Sequence, residues 1–262
     1  MSTRRLTDIA SHAYIWLLLL LFVMPFAALV NYSLTGPRGE FALQNFAYVF
    51  GSFTENLGWS FRISLLTLLI NLAISLPAAY GLVRYNYPGK HLLFAFLSLP
   101  LYVPAAVLGI ALVLTFNFTY RLTTSEWGLV LAMVVGSFPL MLTPTVVALK
   151  DLPIVFEEAA QCLGASKWQT YWRVVFPLIG PGIGAGMLLC FIIVFNEYLV
   201  TLFVKPTFIT TAPVRVFNLV RTAGLLPTTA ALAVVMQVIS FLAVLLFFRI
   251  YGTRYLKGTY LL

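Results

Sequence analysis

Two adjacent glutamates, Glu157 and Glu158, begin the most distinctive polar stretch of the chain, which lies between two strongly apolar runs. Carboxylates in such a stretch are suited to ionic and hydrogen-bonded contact with a partner. The residues that define the stretch are Glu157, Glu158, Ala159, Ala160, Gly164 and Pro177. We interpret it as a surface on which another molecule docks.

Another carboxylate, Glu197, falls well inside an apolar run, next to Asn196 and one helical turn before Thr201. An ionisable group at the centre of a membrane helix costs roughly 2.5–3.5 kcal/mol on insertion scales, so it normally faces a cavity or a partner. Asn71 is central in another apolar run. Two alternatives stay open for Glu197: these residues line a solute pathway, or Glu197 makes a structural hydrogen bond or ion pair. For Asn71, helix–helix hydrogen bonding competes with a pathway role.

The sequence does not group the residues of an enzyme or a metal centre. His12 and His91 stand apart, and no Ser-His-Asp or paired-carboxylate arrangement falls inside an apolar run. The phosphate-binding pattern Gly-x-x-x-x-Gly-Lys-[Ser/Thr] is absent from the sequence. We predict no catalytic residue, no metal site and no cofactor on this chain.

A glycine-rich segment at 180–186 has a superficial likeness to a dinucleotide-binding loop, but no strand-helix-strand pattern surrounds it. Its glycines are spaced four residues apart, Gly180 with Gly184 and Gly182 with Gly186. This spacing is typical of closely packed membrane helices and of a flexible hinge.

Composition places most of the chain in lipid. Of 262 residues, 61% are hydrophobic and 9% are charged, against about 25% charged in a typical soluble domain. The net charge of +8 comes from Lys and Arg scattered between apolar runs, which indicates membrane topology and not a nucleic-acid surface.

Apolar runs long enough to cross a bilayer predict an all-α membrane protein, since a span needs about 20 residues. The six predicted spans are 13–32, 59–83, 91–116, 128–149, 178–204 and 228–252. We expect one transmembrane domain over 1–262. We also expect the first span to be retained, because its apolar run is long for a signal peptide and no clear cleavage site follows.

The distribution of basic residues predicts the orientation. With the N-terminus in the cytoplasm, the inner side carries Arg4, Arg5, Arg84, Lys90, Lys150, Lys167, Arg173, Arg249, Arg254 and Lys257. The outer side carries Arg38, Arg121, Lys205, Arg215 and Arg221, with Arg62 near it. Both termini and the loop at about 150–177 are therefore expected to be cytoplasmic.

The loop itself has the signals of two short helices. Pro153 suits a helix start, and the following apolar residues recur at helical intervals. Gly164 suits the left-handed residue that ends a helix. A second helix is expected through Trp168 and Trp172, whose aromatic rings favour a membrane surface. A simple interfacial hairpin between two spans is the competing interpretation.

This loop resembles the cytoplasmic EAA loop of permease subunits in ATP-binding-cassette importers. That pattern reads Glu-Ala-Ala, three residues, Gly, nine residues, then Ile-x-Leu-Pro. Here Glu158 begins it and Pro177 ends it, with Val174 and Phe176 in place of Ile and Leu. The resemblance implies the MetI-like permease fold of type I importers, in a bacterial inner membrane.

The same resemblance implies partners. Two ATP-binding subunits would bind the loop and would hold ATP and Mg. A second permease subunit, expected to be a different chain, would complete the pathway. A periplasmic or extracellular solute-binding protein would deliver the solute. Solute would cross by alternating access. No nucleic acid is expected as a partner.

The stretch from Phe195 through Val216 resembles the polyamine (spermidine/putrescine) permeases, with Asn196 and Ala212 as departures from their pattern. It suggests a polyamine or related cationic solute. Phosphonates or opine-like compounds are the alternative solutes. Arg215 and Arg221 are candidates for contact with the solute-binding protein, or simply solvated loop residues.

Two other classes compete with this hypothesis. A stand-alone ion-coupled carrier would need charged relays within the spans, which hold a single acidic residue well inside. A membrane-embedded enzyme would need the clusters that the sequence lacks.

Overall fold

A computed structural model describes the backbone of residues 2–119 and 125–259 and the side chains of residues 12, 14–116 and 125–252. Several basic residues used for the predicted orientation have side chains outside these ranges: Arg4, Arg5, Arg121, Arg254 and Lys257. The chain divides into two compact units. Unit 1 comprises 1–54 and 216–237, and unit 2 comprises 55–215 and 238–262.

Helices make up the described chain apart from its turns, a few connecting residues and one isolated β-bridge, which confirms the all-α prediction. The helices are α1 (Ser2–Ser33), α2 (Gln44–Ser52), α3 (Thr54–Arg84), α4 (Lys90–Ser98), α5 (Ala105–Thr119), α6 (Glu126–Asp151), α7 (Val155–Cys162), α8 (Lys167–Thr170), α9 (Phe176–Leu178), α10 (Gly180–Phe195), α11 (Leu199–Val204), α12 (Ala212–Ala223) and α13 (Pro227–Thr259). A 3₁₀ turn covers Leu99–Tyr102, and a π-helical turn covers Tyr171–Val175.

Four of the predicted spans are single helices long and apolar enough to cross a membrane. These are Tyr14–Ser33, Thr54–Arg84, Glu126–Asp151 and Pro227–Gly252. Two further candidates are bent pairs, so the described chain contains four such spans, or up to six if each bent pair crosses once. The count of six is thus compatible with the structure, but two of the six are not continuous helices.

The third predicted span, 91–116, is broken in its middle. Its halves, Lys90–Tyr102 and Ala105–Phe116, meet at an angle of 110°. Val103 is extended, with ψ of 128°, and Pro104 follows. Proline has no backbone N–H and disfavours helical geometry in the residue before it, which accounts for a break at this point.

The fifth predicted span, 178–204, is wrong at both ends. Its helix α10 ends at Phe195, and α11 is a separate helix from Leu199. On its other side, α10 continues from Lys167–Leu178 through a bend of 68°. The fourth predicted span, 128–149, forms the continuous helix α6, although Pro139 and Pro144 lie inside it.

Unit 1 contains α1, α2 and the beginning of α13. The α1–α2 connection is fixed by Asn45, whose buried Nδ2 donates to the carbonyls of Ser33 at 2.9 Å and Thr35 at 3.1 Å. The hydroxyl of Tyr32 donates to the Leu225 carbonyl at 2.7 Å.

Unit 2 contains apolar clusters formed where α3, α6 and α10 pack. One cluster includes Ile63, Leu129 and Val194. A second, at the opposite end of these helices, includes Leu76, Leu149 and Val175. The second cluster joins the end of α3 to the residues after α8, and so it supports the loop at about 150–177.

Candidate functional site

The loop at about 150–177 forms two short helices joined by a glycine turn. Helix α7 ends at Cys162, and Gly164 follows with φ of 87°. This left-handed conformation strains residues that carry a Cβ, so glycine suits the position. The Gly164 N–H donates to the Gln161 carbonyl at 2.9 Å, and the Ala165 N–H donates to the Ala160 carbonyl at 3.0 Å. The predicted end of the first helix is confirmed.

The second helix begins with a capping box. The Gln169 N–H donates to the Ser166 hydroxyl at 3.2 Å, and the Ser166 N–H donates to the Gln169 side-chain oxygen at 2.9 Å. Such reciprocal bonds satisfy donors that a helix start leaves without partners. Helix α8 leads into the π-helical turn, where Trp172 packs on Trp168 and Tyr171 with ring centroids 5.4 Å apart in each case.

Glu157 points into the protein and anchors the loop to α3. Its side chain is 5% exposed, and its Oε1 lies 2.6 Å from the Nε of Arg84, which is 11% exposed. The Tyr80 hydroxyl donates to Glu157 Oε2 at 2.8 Å. Arg84 Nη2 also donates to the Leu152 carbonyl at 2.9 Å. The carboxylate is thus used within the chain, so it positions the loop and does not present itself to a partner.

The opposite side of the loop is exposed and mostly apolar. Glu158 and Ala159 are exposed, while Ala160 is half-buried. Around them, Val155 is 64% exposed and Leu163 is 90% exposed. A surface that combines large exposed apolar side chains with a carboxylate is typical of a protein contact. Pro177 lies beyond the π-helical turn, inside α9.

Asn71 lies in the packed interior, fully buried. Its Nδ2 donates to Ser137 Oγ at 2.8 Å and lies 3.5 Å from Cys190 Sγ. These contacts join α3, α6 and α10. The helix–helix role, one of the two alternatives for Asn71, is the one that its contacts show.

The three remaining pathway candidates gather at the break between α10 and α11. Glu197 Oε1 accepts a hydrogen bond from the Val200 N–H at 2.9 Å, and the Thr201 hydroxyl donates to the Glu197 carbonyl at 3.1 Å. Asn196 Nδ2 donates to Ser240 Oγ at 3.1 Å. Glu197 therefore satisfies a donor at the first turn of α11, in the manner of an N-cap.

Glu197 also lines a cavity of about 100 Å³, together with Pro100, Ser137 and Val200. That volume holds about three water molecules at ~30 Å³ each. Ser137 joins this cavity to the buried amide of Asn71. Structural and cavity-lining roles thus coincide at Glu197.

The candidates for receptor contact both lie on α12. Arg215 is half-buried in its first turns, and Arg221 is exposed in its last turn. The segment expected to be an outer loop therefore contains an amphipathic helix of 12 residues. The contact with a solute-binding protein remains a prediction.

Three residues that the sequence analysis did not select belong to these sites: Arg84, Tyr80 and Ser137. Arg84 was used only as one of the basic residues that predict the orientation of the chain, because a basic residue at the end of a span is common. Its spacing of 73 residues from Glu157 carries no local signal. Ser137 is one of many small polar residues in membrane helices, where nothing in the sequence marks its partner.

Comparison with known proteins supplies the family. Residues 71–254 match the family described as "Binding-protein-dependent transport system inner membrane component". The chain belongs to this family. The matched range contains the whole loop from α7 to Pro177 and the break at Glu197, so both candidate sites lie within the family domain.

Two curated relatives of this transport family have named solutes. The molybdenum transport system permease protein ModB of Escherichia coli K12 is 34% identical over 186 residues, which cover 63% of this chain and 79% of ModB. A probable sulfate transport system permease protein cysT of Marchantia polymorpha is 35% identical over 152 residues, 54% of this chain. The chain spans about half the length of that relative, 53%.

A solved bacterial ABC transporter involved in import of the acidic polysaccharide alginate has a chain of the same fold. The TM-score is 0.75 with 14% sequence identity, over 95% of this chain and 99% of that chain. The predicted MetI-like permease fold is confirmed. The resemblance to polyamine permeases is not supported, because these relatives are named for sulfate and molybdenum.

Proposed function

We propose that this chain is the transmembrane permease subunit of an ATP-driven importer for a small solute. The observation that carries the proposal is the anchored loop: the buried Glu157–Arg84 pair holds α7 on its inner side, while Glu158 of α7 and Leu163, the residue after it, are exposed. Because α7 is attached rigidly to α3, a force applied to the exposed surface of α7 would be transmitted directly to α3. Membership in a binding-protein-dependent transport family supports this use of the loop.

The partners are proposed on the same grounds. Two ATP-binding subunits would dock on the exposed side of α7 and would hold ATP and Mg, so that no cofactor is bound by this chain. A second permease subunit and an extracytoplasmic solute-binding protein would complete the assembly. The loop and both termini would lie in the cytoplasm, with ATP. A stand-alone ion-coupled carrier has no observation in its favour.

The contact surface is tested by reversing one charge. We expect Glu158→Lys to weaken binding of the ATP-binding subunit about tenfold, because loss of a complementary charge at a protein interface costs on the order of 1–2 kcal/mol or more. Solute-dependent ATP hydrolysis in proteoliposomes should fall accordingly, while membrane insertion is unchanged. The measurement is co-purification of the ATP-binding subunit with the tagged permease, followed by the hydrolysis assay.

Glu55→Lys provides the matched control, since Glu55 is an exposed glutamate at the other end of α3. It should retain the ATP-binding subunit at the wild-type level. Equal retention by Glu158→Lys and Glu55→Lys would show that the exposed side of α7 is not the contact surface. No co-purifying ATP-binding subunit with the wild-type chain would refute the proposed function itself.

For the solute we propose a small oxyanion of the sulfate or molybdate type. The support is the pair of relatives named for these solutes, one of them matched over 79% of its length. A polyamine is the competing solute. Glu197 distinguishes them physically, because a carboxylate at the pathway repels an anion and attracts a cation.

Neutralising Glu197 therefore has opposite consequences for the two solutes. Glu197→Gln retains an oxygen that accepts from the Val200 N–H but removes the charge, so we expect unchanged assembly and a maintained or lower KM for sulfate or molybdate uptake. Glu197→Ala, which removes the hydrogen bond as well, should lower the free energy of unfolding by about 1 kcal/mol, as loss of a helix cap does. The measurements are uptake of labelled solute into proteoliposomes and thermal unfolding. Spermidine uptake that Glu197→Gln abolishes would refute the oxyanion proposal.

A further inference from the structure

A cleft in unit 2 lies between the end of α3 and the segment from α8 to the π-helical turn. Its volume is about 580 Å³, which is within the usual range of small-molecule sites. The lining residues from α3 are mostly apolar or small: Ala73, Leu76, Pro77, Tyr80 and Gly81. The cleft is separate from the exposed side of α7 and from the cavity at Glu197.

The lining changes in character along α3. Its deeper part, from Ala73 to Gly81, presents no charged residue over about 12 Å of helix at ~1.5 Å per residue. Tyr85, just beyond the end of α3, lines the other part together with Lys167 and Trp168. One end of the cleft therefore suits a hydrocarbon chain, and the other end suits a polar group.

Aromatic rings are packed where the uncharged part of the cleft meets the polar end. Tyr80 and Tyr171 meet edge to face, with ring centroids 5.4 Å apart, and Trp168 is 70% exposed. Trp and Tyr concentrate at the level of lipid headgroups in membrane proteins. The end of α3 marks the same level, because Arg84 closes a candidate span. The polar end of the cleft is thus placed at the membrane surface.

The polar end also provides a positive charge. Lys167 is exposed, and within the described part of the chain it has no ion-pair partner. The ammonium group of Lys167 complements a phosphate group, which accepts hydrogen bonds and carries negative charge.

We propose that this cleft binds an anionic phospholipid. An acyl chain lies along Ala73, Leu76 and Gly81, and the phosphate contacts Lys167. The lipid then bridges α3 to the segment that follows α7, so it would stiffen the attachment of the loop independently of the Glu157–Arg84 pair. The proposal depends on the membrane placement of the chain but not on which solute it carries.

Lipid retention on the purified complex tests the proposal. The complex is reconstituted in nanodiscs that contain equal parts of phosphatidylglycerol and phosphatidylcholine, and bound lipid is counted by native mass spectrometry after release into detergent. Phosphatidylglycerol should be retained in preference to phosphatidylcholine. Adding inorganic phosphate should not displace it, because the acyl chain contributes to binding.

Two variants address the two ends of the cleft. A Cβ at Gly81 meets nothing within 4 Å, so Gly81→Phe should fit and fill the apolar end, lowering retained phosphatidylglycerol about tenfold. Lys167→Gln should lower the preference for phosphatidylglycerol about fivefold, as expected for one lysine at a membrane surface. Gly58→Phe, at an equally open position of α3, and Lys205→Gln, outside the cleft, are the matched controls and should behave like the wild type.

Several outcomes would overturn the proposal. One is that Gly81→Phe retains as much phosphatidylglycerol as Gly58→Phe. A second is that the wild-type chain holds phosphatidylcholine equally well, or that phosphate alone displaces the lipid. A third is that Gly81→Phe releases another subunit from the complex while lipid counts stay constant, which would assign the cleft to a protein contact. Because lipid is counted without any transport assay, a failure here leaves the importer proposal intact.

Discussion

Replacing Arg84 with alanine is expected to lower the free energy of unfolding by about 3–5 kcal/mol, because it leaves a buried carboxylate without its counter-charge. Among the residues that the structure describes, Glu157 would retain only the hydrogen bond from Tyr80, at 2.8 Å. The Leu152 carbonyl would lose its bond from Arg84 as well. We expect α7 to detach from α3, and coupling between solute and ATP hydrolysis to fall with it. Thermal unfolding in detergent measures the loss of stability, and hydrogen exchange over Val155–Cys162 measures the detachment of α7.

Arg62→Ala is the matched control, since Arg62 lies on the same helix and pairs with Glu126 at the same distance, 2.6 Å, but is 60% exposed. Exposed pairs contribute about 0–1 kcal/mol. The double variant Arg84→Met with Glu157→Leu should recover much of the lost stability, because apolar replacement of a buried ion pair is often neutral or better. Equal destabilisation by Arg84→Ala and Arg62→Ala would show that the buried pair does not anchor the loop.

The pair also shows where sequence reasoning about the loop reached its limit. Gly164 and the end of α7 were predicted correctly, since the signals for a helix end are local. The division of roles between Glu157 and Glu158 was not, because two adjacent residues on a helix point about 100° apart, at 3.6 residues per turn. Which of them faces inward depends on the position of Arg84, on a helix distant in sequence.

The spans show the same division between local and distant information. Hydropathy located all the apolar segments, since length and composition alone decide whether a helix can cross a bilayer. It did not reveal the 110° bend after Tyr102 or the end of α10 at Phe195. Pro104 marks the first break, but the angle depends on packing against other helices. At the second break, Glu197 accepts a hydrogen bond from the Val200 N–H in the first turn of α11. The residue chosen as a pathway candidate therefore also forms part of the break.

The glycines of α10 were interpreted as a packing surface, and the structure gives that interpretation specific contacts. A Cβ on Gly182 would clash with the Cβ of Ala148 and would lie 3.0 Å from the Pro144 carbonyl oxygen. Neither atom can rotate away, since one is a Cβ and the other belongs to the backbone of α6. Helices α6 and α10 are therefore close enough at this point to exclude any side chain, as small residues permit in membrane bundles.

Gly182→Ala is accordingly expected to lower the free energy of unfolding by about 2–3 kcal/mol, the upper part of the range for overpacked cores. The extra methyl group must push α10 away from α6, which opens contacts along both helices. Thermal unfolding of the purified complex in detergent measures the loss of stability. Solute uptake in proteoliposomes shows whether the complex still transports when α10 is displaced.

Gly180→Ala is the control within the same helix, because a Cβ there would meet its nearest atom, on the Tyr251 ring, at 3.8 Å, an ordinary contact. It exchanges the same two residue types in the same first turn of α10, where Gly180 is the first helical residue and Gly182 the third. A difference between them isolates the close approach at Gly182. If both variants unfold at the same temperature, α10 does not approach α6 as closely as the structure shows, and the glycine spacing would then serve flexibility alone.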